Sequence, residues 1–77
     1  MTFRKRLTII PDIPPQTNTD ICCGIALHCA EFNLPYEFLC RTYPVVAVID
    51  GHKYEFTKKL TRRGLATFWA LYGREVD

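Results

Sequence analysis

Four cysteines are the residues in this 77-residue chain whose chemistry stands out: Cys22, Cys23, Cys29 and Cys40. A thiolate is a strong nucleophile, and its pKa falls below the usual value of about 8.5 when it lies at the N-terminus of a helix. Cys22 follows a cluster of helix-capping residues, so we expect it in the first turn of a helix. Cys22 is therefore the candidate reactive thiol, and thiol–disulfide exchange is the chemistry it would perform.

One other interpretation of these cysteines remains open, and a metal site is not expected. Free cysteine commonly packs as a small apolar residue, so Cys22 and Cys40 can equally be core residues, and Cys29 is expected to be one. Zinc sites need ligands in clusters such as C-x₂-C or H-x₃-H, and the cysteines together with His28 and His52 do not form such a pattern. We therefore expect no metal.

A capped, apolar helix carries three of the cysteines. Thr19 is the expected N-cap, with Thr17 and Asn18 as neighbouring alternatives. Asp20 in the first turn favours the helix dipole and Pro35 stops the helix, which predicts a helix over residues 20–32. Its apolar residues recur at helical spacing: Ile21, Cys22, Ile25, Ala26, Cys29 and Phe32, extended by Cys23, Leu27 and Ala30. A helix this apolar predicts cover on two sides.

Strand signals flank this helix. Residues 3–10 end in a β-rich run that predicts a buried strand, and residues 36–39 predict a short second strand. The Asp50-Gly51 pair joins two further β-rich runs and predicts a hairpin with a type I′ turn, with Tyr54 and Phe56 on one face.

The C-terminal part predicts a second helix. Thr61 is its expected cap, Gly73 its terminal glycine, and its apolar face follows the i, i+3, i+4, i+7 rule through Leu65, Phe68, Trp69 and Tyr72. The predicted order is strand, helix, strand, strand, strand, helix. This gives an α/β (α+β) fold with a four-stranded mixed sheet, two helices, and a parallel pairing of the first two strands.

The parallel pairing has a consequence for the cysteines. The C-terminal end of the second strand then lies at the same sheet edge as the start of the helix, which brings Cys40 and Pro44 toward Cys22. A Cys22–Cys40 pair is the hypothesis for a dithiol site.

Several strings resemble the glutaredoxin branch of the thioredoxin-like fold. Asn33-Leu34-Pro35-Tyr36-Glu37 is similar to the family's Gly-Val-Pro-Tyr-Glu entry to its second strand, and Thr42-Tyr43-Pro44-Val45-Val46 to its Thr-Val-Pro segment with a cis proline. Val48-Ile49-Asp50-Gly51 resembles its third strand and turn. The resemblance aligns the family's Cys-x-x-Cys motif with Thr19-Asp20-Ile21-Cys22, and it implies that the family's second helix is missing here.

The resemblance implies a thiol–disulfide redox protein with a modified active site, which uses either a single thiol or the Cys22–Cys40 pair. Cys22 would be the reactive thiol, Thr19 its cap and hydrogen-bond donor, Cys40 its partner, and Tyr43 and Pro44 the substrate contacts. The partner would be a small thiol or a protein. Residues 56–59 replace the family's glutathione-binding segment, so we expect no cofactor. The alternative is a non-catalytic thioredoxin-fold interaction protein that binds a protein partner at the same edge.

Composition limits the remaining classes. With 48% hydrophobic and 23% charged residues, the chain is typical of a soluble domain, and we expect one domain over residues 1–77. Arg4-Lys5-Arg6, Lys58-Lys59 and Arg62-Arg63 form basic clusters, but eight acidic residues are interspersed and the net charge is only +2, so nucleic acid is not an expected partner. No apolar run is long enough for a membrane span and the N-terminus lacks signal-peptide features, so we expect no membrane partner and a cytoplasmic location.

Overall fold

The described part of the chain folds into one antiparallel sheet that carries a single helix on one face. The computed structural model describes residues 5–76, so Phe3 and Arg4, at the start of the predicted first strand, lie outside the described part. The elements are β1 Arg6–Ile9, α1 Asn18–Glu31, β2 Tyr36–Cys40, β3 Val45–Ile49, β4 His52–Arg63 and β5 Ala66–Glu75. The strand order is β1-β5-β4-β3-β2, and every neighbouring pair is antiparallel.

The helix begins with a capping box. The Thr17 hydroxyl accepts a hydrogen bond from the backbone N–H of Asp20 at 3.1 Å, and the Asp20 carboxylate accepts from the backbone N–H of Thr17 at 3.1 Å. The prediction of Thr19 as the cap is therefore wrong. Only Thr17 has an acidic side chain three residues later, so only there can the two bonds be reciprocal.

One face of α1 enters the core as predicted, but the two-sided cover is wrong. Ile21, Ile25 and Cys29 are buried at i, i+4 and i+8. Beneath them lie the buried side chains of the sheet: Ile9, Val45, Ala47, Ile49, Tyr54, Phe56 and Leu71. Leu27 and Phe32 remain 65% and 59% exposed, because no second helix lies on this flank in the described residues.

The predicted hairpin is confirmed. Asp50 and Gly51 have φ values of 51° and 82°, which matches the two positive φ angles of a type I′ turn. The flanking strands pair from Ile49 opposite His52 onward. Tyr54 and Phe56 share the core face, as the alternation predicts.

The predicted C-terminal helix is wrong: β5 occupies its place, at a central position between β1 and β4. Thr61 lies within β4, and a two-residue turn at Gly64 and Leu65, with Gly64 at φ 62°, starts a second hairpin. The helical spacing of the aromatic residues was misleading because aromatic side chains also favour strands, and a strand between two others gains a hydrogen-bond ladder on each side. Gly73, predicted to end the helix, lies in the sheet opposite Phe56.

The four-stranded mixed sheet with two helices is also wrong. β1 pairs with β5 and β2 pairs with β3, so the first two strands lie at opposite edges of a five-stranded sheet. Because every neighbouring pair is antiparallel, β1 and β2 run in the same direction, but they are not hydrogen-bonded to each other. The connection between them crosses one face of the sheet and contains α1. This layout differs from that of thioredoxin-like folds, so the fold implied by the resemblance is contradicted.

A candidate binding groove between the helix and the edge strand

An open groove of about 350 Å³ lies between the N-terminal half of α1 and the edge strand β2. Its lining comes from both elements and the residue after β2: Asn18, Thr19, Cys22, Cys23, Ala26, Tyr36, Phe38 and Arg41. The groove exists because α1 leaves the outer strand of the sheet only partly covered. Most of its surface is apolar, which suits an apolar side chain of a ligand.

Two aromatic rings form the wall contributed by β2. Tyr36 and Phe38 alternate along the strand and therefore lie on the same face, with ring centroids 5.6 Å apart in an edge-to-face arrangement. Tyr36 is 44% exposed although it is a large aromatic residue. The Arg41 guanidinium lies 5.2 Å from the Phe38 ring centroid and gives this end of the groove a positive charge.

Cys22 lies on the groove but is not a typical reactive thiol. It is half-buried and packs against the core, and its Sγ is 4.0 Å from the Arg41 carbonyl oxygen. Burial raises the pKa of the Cys22 thiol, and the positive charge of Arg41 opposes this shift only in part. Cys22 is the fifth residue of α1 and lies in its second turn, so its predicted position in the first turn is wrong. At this position, desolvation of the Cys22 thiolate outweighs the favourable charges.

Cys40 has the opposite environment. Its Sγ is 3.2 Å from the Thr42 hydroxyl oxygen, and hydrogen bonding from the Thr42 side chain, followed by the Thr42 backbone, lowers the pKa of the Cys40 thiol. A negative charge on Cys40 also contributes to the raised pKa of the Cys22 thiol. The two cysteines are thus electrostatically coupled.

The other candidate residues fall in two places. Thr19 lines the groove, while Tyr43 and Pro44 lie outside its lining in the loop between β2 and β3. The Tyr43 hydroxyl accepts a hydrogen bond from the backbone N–H of Lys58 at 3.3 Å, and the Tyr43–Pro44 peptide bond is cis. Tyr43 thereby accepts a backbone N–H of β4 just beyond the point where β4 pairs with the start of β3, and its ring remains 47% exposed.

The remaining cysteines divide between surface and core. Cys23 is exposed on the groove, and Cys29 is fully buried, where burial raises the pKa of its thiol. All four cysteines are free thiols in this structure. Within residues 5–76, no group of three His, Cys, Asp or Glu side chains is arranged to hold a metal ion.

Five of the groove residues could not be recognised as such from the sequence: Asn18, Ala26, Tyr36, Phe38 and Arg41. The sequence did contain a signal for Tyr36 and Phe38, because aromatic residues at i and i+2 of a short strand lie on the same face of the sheet. The groove itself required knowledge that β2 is an edge strand, which depends on the pairing of distant segments.

Comparisons with known proteins give no match to a family model, a curated protein or a solved structure. They provide no test of the resemblance to glutaredoxins at the level of family. In the part of the chain that the structure describes, no helix has the length and apolar character needed to cross a bilayer.

Proposed function

We propose that this chain is a small, non-catalytic interaction protein that binds an extended segment of a partner protein along β2. The observation that carries the proposal is the apolar groove beside a sheet edge. This is the interaction alternative raised by the sequence, transferred from a thioredoxin-like scaffold to the helix-on-sheet fold described above.

The free edge of β2 supplies the main-chain part of such binding. In the described residues, β2 is hydrogen-bonded to β3 on one side and has no strand on the other. An edge strand presents unpaired backbone N–H and C=O groups, to which an extended peptide can add as a further strand. Alternate side chains of that peptide then point toward the helix face.

The groove supplies the selectivity. A peptide side chain that points toward the helix face meets the rings of Tyr36 and Phe38 on one side and Ala26 of α1 on the other. Arg41 lies at the same site and favours a carboxylate in the ligand. The expected ligand is therefore an extended peptide with apolar residues at alternate positions and an acidic residue beside them.

The state of Cys22 favours binding over catalysis. A nucleophilic cysteine needs an exposed thiol with a lowered pKa, whereas Cys22 is half-buried and its pKa is raised by burial. As part of the groove wall, Cys22 needs only its size and apolar character. We therefore expect Cys22→Ser to leave peptide binding largely intact.

Selection of peptides from a random library against the folded protein tests this function. Peptides of the stated pattern should be enriched, and Ala26→Glu, which places a long charged side chain in the groove, should abolish their binding. Ala30→Glu is the matched control, because Ala30 is exposed on the same helix and does not line the groove. Failure to enrich any peptide, or equal binding by both variants, would rule out the groove as the binding site.

Thiol–disulfide exchange is the second candidate function. The observation that favours it is the position of the Cys22 Sγ, 4.0 Å from the backbone carbonyl oxygen of Arg41, the residue next to Cys40. The pKa directions make Cys40 the attacking thiolate. It would attack one sulfur of a partner disulfide, form a mixed disulfide and release the other sulfur as a thiolate. Cys22, after losing its proton, would then attack the Cys40 sulfur, release the second partner thiolate and leave a Cys22–Cys40 disulfide. The partner gains two electrons and the dithiol loses two.

A small aromatic disulfide serves as the probe for this second function. The unmodified protein should release both halves of the probe as thiols. Cys22→Ser should stop at a mixed disulfide on Cys40, visible by mass spectrometry, and Cys40→Ser should react far more slowly. A mixed disulfide that forms first on Cys22 would contradict this order, and no reaction in the folded protein would eliminate the redox function.

A further inference from the structure

A second feature, independent of the groove, is a two-stranded arm that extends beyond the rest of the sheet. β4 pairs with β3 only as far as Phe56, and β5 pairs with β1 only from Leu71 onward. Residues 59–70 therefore pair only with each other, from Lys59 opposite Ala70 to Arg63 opposite Ala66. We call this segment the arm. At about 3.4 Å per residue, it is roughly 15 to 20 Å long.

The arm and its base carry positive charge without acidic residues. Lys58, Lys59, Arg62 and Arg63 are all exposed, and the sequence contains no Asp or Glu between Glu55 and Glu75. The expectation against nucleic acid rested on acidic residues interspersed along the whole chain. The fold separates the positive charges from the negative ones, because the acidic residues lie outside the arm.

The positive charges lie on both faces of the arm. Phe56 points to the helix side, and residues alternate along a strand, so Lys58 and Arg62 share that side while Lys59 and Arg63 lie on the opposite one. On the helix side, the Lys58 ammonium group lies 5.8 Å from the Trp69 ring centroid.

The tip of the arm is apolar. Leu65 occupies the two-residue turn after Gly64 and is fully exposed. It packs against none of the described residues and follows Arg62 and Arg63 closely in sequence. Its side chain is therefore accessible to another molecule at the tip of the arm.

We propose that the arm inserts into a groove of duplex nucleic acid. The major groove of B-DNA, about 12 Å wide, admits a two-stranded β-ribbon, and its two walls are rows of phosphates. A ribbon with cations on both faces matches two phosphate walls, whereas a flat acidic protein or a bilayer surface contacts only one face. Leu65 at the tip reaches the base edges, where apolar side chains contact bases or act as wedges between base steps. Phosphate contacts dominate, so the binding depends weakly on sequence.

Titration of the full chain with a labelled duplex of about two helical turns tests this inference. Trp69 is the only tryptophan of the chain and lies in the arm, so its fluorescence reports directly on arm contacts. If each of the four cations neutralises one phosphate, the logarithm of the binding constant falls against the logarithm of salt concentration with a slope of about −3.6.

Arg62→Gln combined with Arg63→Gln removes one cation from each face and should halve this slope, with Trp69 fluorescence responding only at higher DNA concentration. The matched control is Arg6→Gln combined with Lys53→Gln, which removes the same charge from outside the arm and should retain the slope. All of these positions are surface or half-exposed, so circular dichroism should show retained folding.

Three outcomes would overturn the inference. The first is equal loss of DNA affinity in the arm variant and the control variant, since binding would then follow net charge alone. The second is equal or tighter binding of single-stranded DNA, which has no groove. The third is an arm-dependent Trp69 response to anionic lipid vesicles with none to the duplex, which would assign the arm to a membrane surface.

Discussion

Gly73 provides the sharpest test of the fold, because the two possible structures of the C-terminal segment give it different roles. In β5 it lies opposite Phe56, on the core face of the sheet. A Cβ added at Gly73 would be 2.6 Å from Cε1 and 2.9 Å from Cζ of the Phe56 ring. Phe56 is fully buried, so its ring has no open space into which it can move.

The expected cost of Gly73→Ala follows from this overlap. Forcing an extra methyl group into a packed core typically destabilises a protein by about 1–3 kcal/mol. In a domain of this size each kcal/mol lowers the melting temperature by about 4–8 °C. Gly24→Ala is the comparison: its added Cβ would be 3.0 Å from Cδ1 of Leu71, the flexible end of a side chain, and alanine gains helix propensity. We expect a change within about 1 kcal/mol for that variant.

A double-mutant cycle with Phe56→Leu distinguishes the strand from the predicted helix. In the observed sheet, the smaller leucine relieves the overlap, so the double variant should be more stable than the sum of the single effects by about 1 kcal/mol or more. If Gly73 ended a helix, Gly73→Ala would also destabilise the protein, but the size of this effect would not depend on the side chain at residue 56. Additive effects in chemical unfolding would therefore refute the pairing of Gly73 with Phe56.

Three further predictions concern the cap, the termini and the thiols. Thr17→Ala should lower the free energy of unfolding by about 1 kcal/mol in urea unfolding, and Thr19→Ala clearly less; equal costs would contradict the capping box. Hydrogen bonds from the Lys5 backbone and the His52 side chain lower the pKa of the Glu75 carboxyl. The ionised Glu75 carboxylate therefore stabilises the folded state above the ordinary pKa of 4.5, and this stabilisation is lost as the pH falls through the lower pKa of the folded state. The melting temperatures of the unmodified protein and of Glu75→Gln should therefore converge in acid. A gap that persists in strong acid would exclude this linkage. Iodoacetamide should modify Cys40 at lower pH than Cys22, as peptide mass spectrometry can measure, and the reverse order would contradict the pKa directions.

In the groove, the sequence predicts where the cysteines lie along the chain but not the pKa values of their thiols. The position of Cys22 in the first part of the helix was predictable from the capping residues around it. Its raised pKa was not, because it depends on how much of the thiol the packed core removes from water. Cys40 likewise owes its lowered pKa to a contact with Thr42 that strand prediction does not provide.

The arm illustrates the same limit for charge. The run from Lys58 to Arg63 is visible in the sequence, but its meaning depends on whether it forms a helix surface or a free ribbon. Once β4 and β5 pair beyond their neighbours, four cations stand apart from the acidic residues of the chain. The same residues on a covered sheet would be an ordinary solvated surface.

The sequence by itself determined the local structures: the helix with Ile21, Ile25 and Cys29 on its buried face, and the type I′ hairpin at Asp50 and Gly51. Hydrogen bonds and φ preferences between near neighbours are enough to specify these. Only the tertiary structure decided that the last segment is a strand and that β1 and β2 occupy opposite edges. Those choices depend on hydrogen-bond ladders between residues far apart in the chain, for which local periodicity carries no information.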